Sequence, residues 1–403
     1  MTSTFAWLDF DEPARQRMRE IVEMLREEGS IDELGLGRMR DAFSDRLFPG
    51  TSVLWRRARY LLFVPWMYQQ FETDGIGRLA PEVAARRAQA KLRDGLRQNG
   101  ATNGLIGARA KYPVSPPDVI LWAALSQWGV RESGAGTLRQ YRTGLPPKPR
   151  RALEDDAQGP ASVWNPQLPR MPKGFPEVDG FELTRSEAQF LRDLVLAEDA
   201  EKGSRAHSRK DSLMADLLRG DEIADVPAPW RRPLSNVASA DLRRAVSHAG
   251  CFSDVTHGAT LLYARRLAEV RKKEETLEAA DDALEAWAQR VSGPRADELE
   301  RWADNLDDFF EVVTQQRRIL PSEERFVTAW TRRALTDPFG VARNVDAIRL
   351  VEDREAHSKR GKARLAAPRE QDRGDGGSIP GPLTFRWSNA LQLAHDIREG
   401  LED

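Results

Sequence analysis

A single cysteine rules out an internal disulfide and any cysteine-built zinc module, and it fits a reducing compartment. Net charge is almost absent: 61 basic residues face 63 acidic ones, leaving a formal −2. Attraction of the whole chain to polyanions is therefore excluded, and contact with nucleic acid needs a local basic patch. Long apolar runs are missing too. The longest, Tyr60 to Tyr68, falls far short of the roughly 20 residues that span a bilayer. The opening "MTSTFAWLDFDEPARQRMREIV" sets acids where a signal peptide needs a basic start and an apolar stretch. A cytoplasmic protein without membrane contact is expected.

Alternating strand patterns of useful length are also lacking, and no internal repeat of fixed period is found. What is present is helical periodicity over 403 residues, of which 40% are hydrophobic and 31% charged. That composition supports a sizeable core beneath a charged surface. The expected fold is mainly α, a multi-helix bundle-like body with a proline-rich irregular arm and little or no β structure. The chain divides into an N-terminal helical region (1–100), a small tryptophan-containing helical module (101–145) and a proline-rich linker or arm (146–180). A C-terminal helical domain (181–367), a flexible loop (368–382) and a closing helix (383–403) follow.

Local signals place the helices. Asp11, Pro13 and the stop at Gly29 frame one. Further helices are expected over 38–47, over 52–72, and along "LAPEVAARRAQAKLRDGLRQNG" to Asn99-Gly100. Ser115 before Pro116-Pro117 caps a short one, and Thr184 with Glu187 forms a capping box. The chain is nearly all helix from Asp254 to Arg318 apart from a break at "SGP". Pro321 opens another to about Leu335, and one more runs from about Gly340 to Lys359.

The stretch "RDAFSDRLFPGTSVLWRRARYLLFVPW" poses the functional question. Arg56, Arg57 and Arg59 lie at the expected start of a helix, after the turn Pro49-Gly50-Thr51-Ser52. Free N–H groups there could hold a phosphate, with the arginines beside them. At 100° per residue, however, Arg57 projects near Val53 and Leu61, and Arg59 near Trp55 and Phe63. A guanidinium on an apolar face needs a carboxylate. Asp41 and Asp45 are the nearest candidates, so at least one of the three arginines is expected within about 4 Å of one of them.

A second basic stretch carries Arg139, Arg142, Lys148, Arg150 and Arg151 without an intervening acid. Beside Trp122, Trp128 and Tyr141 it offers a nucleic-acid contact, with the preceding capped helix in a helix-turn-helix-like unit; the plainer reading is a solvated basic loop. Lys359, Arg360, Lys362 and Arg364 read as a solvated helix end. His248, Cys251 and His257 match no ligand spacing and read as a buried thiol near surface histidines. No P-loop, dinucleotide fingerprint or nucleophile elbow occurs, so neither metal, cofactor nor catalytic residue is assigned.

The N-terminal "FAWLDFDEPARQRM", the "GLGRMRDAFSDRLFPGTSVLWRRARYLLFVPW" block and "VWNPQLPRMPKGFP" followed by "FELTRSEAQFL" resemble an uncharacterised bacterial family. The segments "DSLMADLL" and "FSDVTHGATLLYARRLAE" do so as well. The resemblance implies a setting near helicases in phage-defence islands and brings no catalytic residues. It points to a non-catalytic accessory or adaptor subunit with protein partners, a helicase among the candidates, and with DNA. A divalent-metal nuclease or phosphodiester hydrolase and a purely structural interaction protein are the alternatives.

Overall fold

The computed structural model describes residues 32–108, 115–146, 162–178, 180–197, 209–220, 226–366 and 379–402. The expected helix after Asp11, Lys148, Arg150 and Arg151, and most of the expected loop 368–382 lie outside them. Among the described residues there are 14 α-helices and no strand, so the fold is mainly α. In chain order these are α1 (Gly37–Leu47), α2 (Tyr60–Asp74), α3 (Pro81–Gln98), α4 (Pro117–Gln127), α5 (Leu138–Thr143), α6 (Arg185–Leu196) and α7 (Leu213–Arg219). They continue as α8 (Ala240–Val270), α9 (Glu274–Val291), α10 (Ala296–Asp304), α11 (Leu306–Gln316), α12 (Pro321–Thr336), α13 (Val345–Lys359) and α14 (Trp387–Glu402). None of them is long and apolar enough to cross a membrane.

The hub is α8. Ser239 caps it by accepting the Leu242 N–H at 2.9 Å. Every residue from His248 to Tyr263 is buried, so the helix is enclosed on all sides by α1, α9, α10, α12 and α13. Enclosure obliges its polar side chains to find partners. Ser253 donates to the Leu383 carbonyl at 2.8 Å, and the Tyr263 hydroxyl to Glu355 at 3.0 Å. Gly258 lets α9 come close: a methyl group there would lie 2.3 Å from the Trp287 ring, whose N–H donates to the Asp254 carbonyl at 2.7 Å.

One contiguous set of buried residues runs from Leu34 to Ile397. The proline-rich arm joins it. Trp164 is buried and bridges to Arg131, and the Trp66 indole donates to the Pro169 carbonyl at 2.8 Å. α14 packs on α6 and α7 and reaches back to the N-terminal third.

Several helix boundaries differ from expectation: α8 begins at Ala240, well before Asp254, α13 begins at Val345, after Gly340, and three further differences have a visible cause. The helix expected over 52–72 begins only at Tyr60, because the carbonyls that would feed its first turn are used elsewhere. Arg386 takes the Thr51 carbonyl at 2.9 Å, and Asn389 takes those of Ser52 at 2.8 Å and Trp55 at 3.3 Å. The helix expected through Asn305 breaks there (φ −127°, ψ 50°), which lets Phe309 stack on Phe252 and Trp302 meet His248. Within the expected basic loop, Thr137 and Gln140 form a capping box that starts α5.

Candidate nucleic-acid interface

Arg57 and Arg59 face inward, and their carboxylates come from far along the chain. Arg57 Nε lies 3.0 Å from Asp396 Oδ2 on α14, and its guanidinium sits 4.8 Å over the Phe181 ring. Asp396 also accepts the Ala58 N–H at 2.8 Å and the Gln392 amide at 2.9 Å. Burial raises the Asp396 pKa, and Arg57 opposes that rise. Arg59 Nε is 3.1 Å from Glu187 Oε2, and another of its nitrogens donates to the Gly180 carbonyl at 3.1 Å. Glu187 is the capping-box residue of α6, so one carboxylate serves a helix start and a buried cation. Arg56 is exposed and donates to Asn103 Oδ1 at 2.7 Å.

The expected pairing with Asp41 or Asp45 is therefore corrected. Asp41 lies 3.0 Å from Arg40, while Asp45 binds Arg317 at 2.5 Å and Arg386 at 3.0 Å. No helix starts at Ser52, so the phosphate-holding helix end imagined there does not exist and the helical-wheel argument loses its basis.

The second basic stretch divides. Arg142 is buried in an ion pair with Asp118, and its Nε donates to the Tyr68 hydroxyl at 2.9 Å. That hydroxyl in turn donates to Asp118 at 2.6 Å. Burial works against the Arg142 charge, but Asp118 and Tyr68 outweigh it and its pKa rises. Tyr68, Trp122, Tyr141 and Trp164 form one ring cluster, with Trp122 and Tyr141 centroids 5.1 Å apart. Trp128 packs edge-on against Trp55 at 6.3 Å. These aromatics hold α2, α4, α5 and the arm together, and do not form a stacking platform for bases. Arg139 stays exposed.

Sequence reasoning passed over α3. An open groove of about 810 Å³ runs along it, lined among others by Val83, Arg86, Arg87, Lys91, Asp94 and Glu177. Its acids are engaged: Asp94 lies 2.8 Å from Arg93, and Glu177 is 3.1 Å from Lys91 in an exposed pair. Arg86 and Arg87 are exposed and have no acidic partner among the described residues. The signal was readable as "ARRAQAKLRDGLR", where cations recur on an amphipathic helix.

Two of the five histidines and the cysteine are closed. His248 and His257 are buried, which corrects the expectation of surface histidines. His257 Nε2 meets the Pro380 carbonyl at 2.8 Å, and its Nδ1 accepts from Arg290 at 2.7 Å, which assigns the neutral Nε2–H tautomer. Burial lowers its pKa to about 4. His248 Nδ1 accepts from the Trp302 indole at 3.0 Å, so its Nε2 donates to Asp308 at 2.8 Å. Burial lowers this pKa as well. Neither imidazole keeps a lone pair free to act as a base. Cys251 is buried and its thiol is pushed up to about 12, well above the range of a reactive thiolate.

The sequence model of a family described as a family of unknown function, DUF6361, matches residues 2–399. No curated protein and no solved structure matches the chain.

Proposed function

The chain thus belongs to the DUF6361 family of unknown function, and we propose that it is a non-catalytic accessory or adaptor subunit of a prokaryotic, DNA-directed defence system, acting by protein and nucleic-acid contacts. One observation carries this reading: the division of the cations. Arg57, Arg59 and Arg142 are paired with carboxylates inside the fold, whereas Arg86, Arg87 and Arg139 stand at the surface with no acidic partner among the described residues. Surface charge left unmatched on a chain of near-zero net charge is a local patch of the kind a polyanion needs. The enclosed histidines and thiol favour a contact role over a catalytic one. The resemblance to chains encoded near helicases supplies the setting.

The test is incubation of the purified protein with labelled duplex and single-stranded DNA, with and without magnesium or manganese. Salt-sensitive binding without cleavage is expected. Cleavage that follows the protein through purification overturns the non-catalytic reading, and absence of binding to either DNA removes its nucleic-acid part. Co-purification with a neighbouring helicase tests the adaptor part separately.

A further inference from the structure

We propose that the α3 groove seats the phosphate backbone of duplex DNA, with Arg86 and Arg87 as phosphate ligands and Lys91 as a third contact released from Glu177. This rests on the nucleic-acid part of the reading above and gives it a place.

Arg87 and Lys91 are four residues apart on one helix, hence on one face and about 6 Å apart along the axis. Arg86 lines the same groove. Two guanidiniums with no acidic partner among the described residues offer positive charge for a phosphate to pair with, in place of the water now around them. Lys91 costs little to recruit, because its pair with Glu177 is exposed on both sides and such pairs contribute little. Asp94, the other acid in the lining, is occupied by Arg93 and leaves the cations in excess.

The lining also selects among nucleic acids. Its apolar members are Val83, Ala90 and Gly95, with no aromatic ring. Sequence-tolerant capture of single strands relies on stacking of bases against aromatic side chains. A groove built of point charges and small apolar groups instead reads the regular backbone of a duplex, without base specificity.

The experiment is fluorescence anisotropy of the full chain with a labelled random-sequence duplex across a salt series. The double variant Arg86→Gln with Arg87→Gln removes two phosphate contacts. It is expected to bind about 50-fold more weakly at 0.1 M salt, with a log–log salt slope shallower by about 2. Glu177→Gln frees Lys91 and is expected to tighten binding and steepen the slope. Arg86→Lys with Arg87→Lys keeps the charges and is expected to stay within a few-fold of the parent, which excludes a folding defect at these positions. If the parent binds duplex and the double glutamine variant matches it, the groove is wrong while the accessory reading survives on Arg56 and Arg139. Tighter binding to single strands than to duplex also overturns the groove assignment. A parent protein that binds no DNA overturns both.

Discussion

Two of the chain's Arg-Arg dipeptides, at 56–57 and at 86–87, meet different fates. At the first, Arg57 is closed by Asp396, and nearby Arg59 is closed by Glu187. At the second, both side chains stay in water on an outer helix face. Apolar neighbours do mark Arg57 and Arg59 as inward-facing, since Tyr60 to Tyr68 follow them. The identity of the neutralising acid is set elsewhere, by helices that arrive from hundreds of residues away. A cation's role therefore depends on whether a distant element delivers a carboxylate, and much less on the residues beside it.

Asp396→Ala probes the closed copy most severely. It strands the buried Ala58 N–H and a half-buried guanidinium, so a loss of about 3 kcal/mol in denaturant-derived stability is expected. Pairing Asp396→Leu with Arg57→Met is expected to recover most of that loss; no recovery would mean that the hydrogen bonds, more than the charge pair, hold this junction.

Closure of interior polar groups also has a pH signature. The unfolded His257 imidazole takes up a proton near 6.5, but the folded one only near 4. Between those values the unfolded state binds more protons, so stability falls as pH falls, on the order of 3 kcal/mol in all. Buried His248 adds in the same direction. His257→Gln is expected to flatten this dependence in thermal melts run from pH 7 to pH 4; an unchanged slope would place the proton uptake elsewhere.

The open copy should be nearly silent in stability. Arg86→Gln with Arg87→Gln is expected to change it by no more than about 0.5 kcal/mol, while DNA affinity drops as described above. A large destabilisation would show that these side chains are structural after all and would erase the contrast between the two copies.

Much of the helical architecture was legible. The Thr184–Glu187 box, the stop at Asn99-Gly100 and the start at Pro321 all act over a few residues, so the sequence carries them locally. The start of α2 was not legible, because Arg386 and Asn389 remove the carbonyls of Thr51, Ser52 and Trp55 from across the fold. Nor were the acids that close Arg57 and Arg59, for the same reason. Arg142 looked like a surface cation in a basic loop until α4 brought Asp118 to it. The groove cations were written openly in α3, but their significance depends on which acids are already engaged, and only the fold decides that.

The dependence of the early segment on α14 has a consequence for biosynthesis. Asp396 lies 339 residues after Arg57, so at about 5–20 residues per second it leaves the ribosome on the order of 20–70 s later. Throughout that interval the nascent chain carries an unpaired guanidinium beside its most apolar stretch, with nothing yet made to neutralise it. The early segment settles only once α14 has been made, so loss of that helix is far more damaging to the fold than its 16 residues suggest.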